Sequence, residues 1–292
     1  CVQLFHHCPI SLALIGIETY VFAHDLVREV AYDTILRSQR EVLHRRILTA
    51  LEASGAKEED IAESLCHHAM NAQDWGKADR YGYLAARKAF SRSAFRDAIE
   101  YFQIAMKAVD RQPESTLREQ RAVDLRLEAR LAFVSFGNIE EWFALGRDGE
   151  LRAEKIGDER RKLSSIVVTA AALNFYGTPY EALSAGEKAI KLASKLNATN
   201  WLTLAEYGLG QSYFLVGRFR ESERELGQAS ARLLKAPEDV PPGTTGPSLL
   251  VLCQMMRAVS CSWLGEFDDA ERCASTATTF AEAGDRPYDL VS

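Results

Sequence analysis

One stretch constrains this chain more than any other: Leu204 to Ala229, LAEYGLGQSYFLVGRFRESERELGQA. It predicts two helices around a tight turn. Gly210 and Tyr213 lie on the first helix, Gly217 closes it, Phe219 follows, and Ser222, Leu226 and Ala229 mark the second. The turn glycine supplies the left-handed conformation that ends a helix. A small residue seven positions before it lets a neighbouring helix approach closely. Ser222, with apolar residues four and seven later, gives a stripe facing the first helix. A single hairpin cannot bury both of its faces, so it requires copies of itself.

The copies are present. Ala78, Ala98, Trp142, Ala182 and Ala270 occupy the position of Ser222, and Trp142 stands where a small residue is expected. From 142 to 182 and from 182 to 222 are forty residues each, and from 222 to 270 forty-eight. The surplus falls in Ala236 to Ser248, APEDVPPGTTGPS, which is loop by composition. The turn glycine recurs as Gly137, Gly177, Gly217 and Gly265, with an aromatic soon after at Tyr180, Phe219 and Phe267.

Around this repeat the chain reads as helix after helix. Asp25 to Ala53 carries helical periodicity, its apolar face formed by Leu26, Val30, Ile35, Leu36, Leu43, Ile47, Leu48 and Leu51. Helices follow over 60–72, 75–92 and 95–110. The twenty residues from Ala78 to Ala98 leave open whether 75–92 ends one hairpin or begins the next. After a break at 111–115 come 118–136 with 139–156, 162–176 with 179–196, 201–216 with 219–234, and 248–264 with 267–283. Residues 1–20 are the least regular, with Tyr20 to Phe22 readable as a short strand.

Composition agrees with a helical, globular chain: of 292 residues, 47% are hydrophobic, 26% are charged and 8 are Pro. The net charge of −6 argues against a general nucleic-acid binder, which needs a basic footprint. Six cysteines without CxxC spacing fit buried thiols in a reducing compartment. The apolar run Cys8 to Ile17 is too short to span a bilayer and lacks a cationic lead. A chain starting at Cys1 and stopping at Ser292 reads as a fragment of something longer, and the expected localisation is cytoplasmic.

The order small residue, Tyr, Gly, aromatic, Ala resembles the tetratricopeptide repeat, in a version longer than the usual ~34 residues. Period alone would favour HEAT or armadillo repeats of ~40–47 residues. The turn glycine and the small residues on both helices decide for the tetratricopeptide-like form. A second resemblance begins at Tyr20. YVFAHDLVREVAYDTILRSQREVLHRRILTALEA is similar to the end of the winged-helix region that follows the ATPase module in large bacterial signalling proteins. The matching positions are Phe22, His24, Leu26, Val27, Glu29, Tyr32, Arg40, Leu43, His44 and Ile47. Cys66-His67-His68, Ala85-Ala86 and Ala98 continue the pattern.

This resemblance implies a parent with a nucleotide cyclase domain and an AAA-type ATPase ahead of the repeats. The alternative is an ATP-dependent LuxR-type transcription regulator carrying the same tail. It implies residues 1–57 as the end of the winged-helix region and 58–292 as the repeat domain. ATP would be bound only upstream; this segment is expected to hold no cofactor. The fold class expected is all-α, a tetratricopeptide-like right-handed superhelix of antiparallel helix hairpins.

No phosphate loop is present, and Gly208 and Gly210, inside a helical pattern, are read as close-packing residues. His6-His7-Cys8 and Cys66-His67-His68 contain metal-ligand types, but neighbours on a helix point about 100° apart and no matched second half is visible, so no metal site is expected. Cys253, Cys261 and Cys273 read as core thiols. A nucleophile at Cys66 with His68 lacks a third orienting group. Arg37, Arg40, Arg45 and Arg46, interleaved with Glu29, Asp33 and Glu41, read as a salt-bridged face, with Glu41 and Arg45 an i,i+4 pair.

What survives is a surface, so no catalytic residue is expected. Stacked hairpins present first-helix side chains on their concave side. Those are Arg80, Tyr83, Arg87 and Phe90; Asp124 and Leu127; Ser164, Val167 and Asn174; Leu204, Tyr207, Gln211 and Phe214; and Leu252 and Met255. The expected partner is a protein or peptide, or the parent's own ATPase or cyclase domain, with no membrane and no nucleic acid.

Overall fold

A computed structural model describes residues 5–7, 20–22, 30, 32–236, 240–241, 244 and 249–283. These form two compact units, 1–112 and 113–292. The boundary expected at 57/58 separates regions by resemblance, whereas the first helix packs on the second inside the first unit.

The first unit opens with an antiparallel ribbon of β1, Phe5–His7, and β2, Tyr20–Phe22, which pairs Phe5 with Phe22 and His7 with Tyr20. The strand expected at Tyr20 to Phe22 is therefore present. Helices α1 (Arg37–Glu52), α2 (Ala62–Asn71), α3 (Trp75–Ser91) and α4 (Phe95–Asp110) follow. The long helix expected over 25–53 is interrupted at Thr34–Leu36, where Leu36 takes an extended ψ of 143°. Residues 25–29 lie outside the described residues. The expected apolar face is corrected in part: Leu48 is buried and Leu51 packs on the core as expected, but Val30, Leu36, Leu43 and Ile47 are exposed and His44 is buried instead. The break at Leu36 interrupts the helical phase, so a periodicity counted continuously across it includes residues that face away from the core.

Leu48, Leu65, Cys66, Ala69, Ala78, Tyr81 and Ala108 build this unit's core. The Tyr81 hydroxyl donates to Glu52 Oε1 at 2.7 Å and Lys77 pairs with Glu52 at 2.8 Å, tying α3 to the end of α1. Asp74 caps α3 by accepting from the Lys77 amide at 3.1 Å.

Among the described residues the second unit has eight helices: α5 (Thr116–Phe136), α6 (Ile139–Lys155), α7 (Glu159–Tyr176), α8 (Pro179–Lys195), α9 (Thr199–Leu215), α10 (Phe219–Leu233), α11 (Leu249–Leu264) and α12 (Phe267–Ala283). Each packs on its neighbours in sequence, and the first helices α5, α7 and α9 also touch in turn. Ser115 and Asp158 cap α5 and α7. The larger side-chain cores of the stack lie around Leu163, Ile166, Val167 and Ala189 and around Leu226, Ala229, Leu233 and Leu250.

The turns explain the spacing left open by the sequence. Gly137, Gly157, Gly177, Asn197 and Gly217 all have positive φ, and they fall twenty residues apart. Gln73 and Ser93 do the same in the first unit. The forty-residue repeat is thus two helix-and-turn steps of twenty with like geometry. Helix α3 therefore ends one hairpin and begins the next, and both phases hold. Glycine takes the left-handed turn without strain; Gln73, Ser93 and Asn197 take it at a cost of about 1–2 kcal/mol each.

Candidate functional site

Within the second unit, side chains from five helices enclose a cavity of about 160 Å³. Helices α5, α7 and α9 supply Arg130, Val167, Leu204, Tyr207, Gly208 and Gln211; α6 and α8 supply Trp142, Gly186 and Ala189. The walls are mostly apolar. That volume is close to the ~150 Å³ known to hold a benzene-sized group. It fits one side chain of a larger ligand.

The cavity exists because two bulky residues break the repeat. Seven places before the turns inside hairpins, at Gln73, Ser93, Gly177, Gly217 and Gly265, the chain carries Cys66, Ala86, Ala170, Gly210 and Ala258, but before Gly137 it carries Arg130. Five places after Gly137 stands Trp142 in place of alanine or serine. Glycines on α6 accommodate the indole's helix. A Cβ on Gly146 would sit 2.5 Å from Thr169 Oγ1, and one on Gly149 2.7 Å from Ser165 Oγ, so α7 packs directly on the α6 backbone.

Arg130 and Trp142 bring nitrogen donors to the mostly apolar wall. Arg130 donates through Nη1 to the Leu127 carbonyl, and burial pulls its guanidinium down to about 10 against the opposing pull of Glu128. The Trp142 indole Nε1 is buried and, among the described residues, meets no acceptor. Burial also raises the Tyr207 hydroxyl. Such a lining suits an apolar group next to a carbonyl or carboxylate.

The concave-surface residues expected from the sequence meet different fates. Tyr207 and Gln211, with Val167 and Leu204, come together on the cavity. Asn174 lies beside it, accepting from Ser212 Oγ at 2.8 Å and donating to the Gly208 carbonyl at 3.3 Å. Asp124 is engaged by a two-pronged pair with Arg161, 2.8 and 2.9 Å, that ties α5 to α7. The Leu127 carbonyl serves Arg130. Phe214 packs edge-on to Phe219 across its turn, and Met255 packs on Val251, Ala277 and Ala281. In the first unit, Arg80 pairs with Glu58 at 2.5 Å, Arg87 lies 5.8 Å over the Tyr83 ring, and Phe90 meets Phe95.

Gly208 corrects the close-packing reading. A Cβ there would meet nothing within 4 Å, so this glycine opens the cavity wall. Gly210 keeps that reading: its Cβ would lie 2.6 Å from Leu226 Cγ. Arg130 was missed as a site residue, although its departure from the repeat register was readable.

Elsewhere the thiols are inert. Cys66, Cys253, Cys261 and Cys273 are buried and free; burial raises all four, Cys66 and Cys261 to about 11 and Cys253 to about 12. The expected Glu41–Arg45 pair forms at 3.0 Å, and Arg40 pairs with Asp33 at 3.2 Å. Among the described residues, no helix is long and apolar enough to cross a membrane.

No family model matches the chain. It is 32% identical over 105 residues to the uncharacterized protein R02095 of Rhizobium meliloti (strain 1021), a match covering 36% of this chain. The chain spans about a tenth of that protein's length. A Rap protein complexed with competence and sporulation factor superposes with a TM-score of 0.55 at 14% identity, over 84% of this chain and 72% of its own. A signal transduction ATPase with numerous domains and a tetratricopeptide repeat sensor, from Pyrococcus horikoshii, superposes with a TM-score of 0.58 at 13% identity. That match covers 91% of this chain and 42% of the archaeal one. These likenesses concern the fold, and they agree with the expectation: the chain is an all-helical array of tetratricopeptide-like repeats preceded by a short ribbon.

Proposed function

We propose that this chain is the peptide- or effector-sensing segment of a larger cytoplasmic, ATP-dependent signalling protein. The output is a nucleotide cyclase coupled to an AAA-type ATPase, and residues 1–57 join that ATPase to the repeats. The observation that carries the sensing role is the cavity holding Arg130 and Trp142 on a mostly apolar wall. It takes one apolar side chain of a bound peptide, and the two donors engage the adjoining carbonyl or carboxylate. The likeness to a Rap protein in complex with a factor, and to the repeat sensor of a signal transduction ATPase, supports this reading. Coupling to the parent is bounded by the ligand's differential affinity for two states of the repeat array.

Gly208 supplies the test. Gly208→Leu starts its side chain where a Cβ meets nothing within 4 Å, on the cavity wall, so it narrows the cavity. A panel of short peptides varied at one apolar anchor is titrated into the chain, and Gly208→Leu is expected to weaken the best binder at least tenfold. Equal binding by both proteins rejects the cavity as the site. In the parent, the same substitution is expected to abolish the peptide's effect on ATP turnover. A helix-turn-helix encoded beyond Ser292, with no cyclase domain upstream, would replace the cyclase output by transcription control.

A further inference from the structure

In the first unit, three imidazoles from two helices converge. His44 on α1 and His67 and His68 on α2 place one ring nitrogen each within 4.8 Å of the others. His44 Nδ1 lies 2.8 Å from His68 Nδ1. The ring centroids are 5.5 Å apart for His44 and His67, 5.0 Å for His44 and His68, and 5.2 Å for His67 and His68. Neighbours on α2 point about 100° apart. They meet here because α1 sets His44 between them, so the missing partner comes from another helix.

We propose that His44, His67 and His68 form a binding site for a divalent transition-metal ion of the zinc class. The ion takes the place of the proton shared by His44 and His68. Zinc–imidazole bonds of ~2.0–2.1 Å separate tetrahedral ligands by roughly 3.3 Å. The His44–His68 pair, one buried and one half-buried, therefore opens by about half an ångström, and exposed His67 swings inward to complete three ligands. The remaining position is left to water, as in open zinc sites.

The outer contacts fit this role. His44 Nε2 lies 2.8 Å from the Tyr32 hydroxyl, whose oxygen can accept the N–H that a metal-bound imidazole presents on its far side. Arg40 in turn lies 4.4 Å over the Tyr32 ring and donates to the carbonyls of Asp33 and Ile35, which holds the turn ahead of α1. Soft and borderline divalent ions prefer such nitrogen sets, whereas magnesium and calcium require oxygen ligands. The bound ion would pin α1 and its preceding turn to α2. This site is independent of the cavity proposed above, since every residue in it belongs to the first unit.

The test uses the full, tag-free chain with zinc, and with cobalt as a spectroscopic probe. The expected result is one-to-one zinc binding, a cobalt ligand-field band of nitrogen coordination, and slower amide exchange in α1. His67→Ala removes an exposed ligand and is expected to weaken zinc at least tenfold with helical circular dichroism unchanged. If that variant folds poorly, His67→Gln keeps the volume and gives the same reading. Tyr32→Phe retains all three imidazoles and is expected to weaken binding by roughly tenfold. Magnesium is expected to leave every signal unchanged. No cobalt band in the wild type, or unchanged zinc affinity in the His67 variant, overturns the site and leaves a proton-sharing histidine pair.

Discussion

Hairpins α5–α6 and α9–α10 share turn and register, and both lend side chains to the cavity, yet the residues at the crossing of the first line it while the crossing of the second is sealed. In α9–α10, the position seven before the turn is Gly210 and the position five after it is Ser222. The Ser222 hydroxyl donates to the Gly210 carbonyl at 2.8 Å, and Leu226, fully buried, fills the space a Cβ would need. In α5–α6 the same two positions are Arg130 and Trp142, and both line the cavity. Small residues at the crossing let backbones close on each other; large ones there hold the helices apart and leave room for a guest. A repeat protein can thus make a site by breaking its own rule once.

Substitutions at these crossings can break or sharpen the contrast. Trp142→Ala should be the most damaging, costing about 3–5 kcal/mol in denaturant unfolding, because it enlarges an existing cavity in a packed unit. A loss below 1 kcal/mol would mean that the indole is not part of the hairpin's support. Glu206, buried on the sealed hairpin's first helix and paired with Arg232, has its carboxyl pushed up to about 7 by burial, which outweighs the arginine. The folded state therefore holds a proton that the unfolded chain has released, so this group's contribution to stability falls as pH rises from about 4.5 to about 7. Above that window the destabilisation is complete. Relative to Glu206→Gln, the wild type should lose on the order of 2 kcal/mol between pH 5 and pH 8. Parallel stability profiles for the two proteins would show that Glu206 does not titrate abnormally.

Gly210→Ala overpacks Leu226 and should cost about 1–3 kcal/mol. Gly208→Ala, two residues away on the same helix, meets nothing and should stabilise by about 0.5–1 kcal/mol through helix propensity alone. Opposite signs at two glycines two residues apart would establish which of them seals the hairpin and which opens the cavity. The same sign at both would remove the distinction.

Much of the fold was legible. The boundaries of α4 and α12 were read as they stand, and the ends of most other helices fell within three residues, because periodicity, caps and turn residues are local signals. Helix α1 was misjudged because a turn at Thr34–Leu36 interrupts a pattern that otherwise looks continuous. The surface list was less informative. First-helix position selects residues that face the next first helix as well as those that face open space, so Asp124 and Asn174 proved to be ties between helices.

By itself the sequence determined that helices of this length alternate with left-handed turns, and that Gly217 and its counterparts mark them. It also showed that Trp142 is out of pattern. Only the tertiary structure decided that Arg130 and Trp142 share a cavity, that Gly208 faces space while Gly210 faces Leu226, and that His44 comes between His67 and His68. Local rules act over one or two helical turns. Contacts between residues tens of positions apart depend on how closely and at what angle the helices pack, and that follows from every side chain at the crossing together.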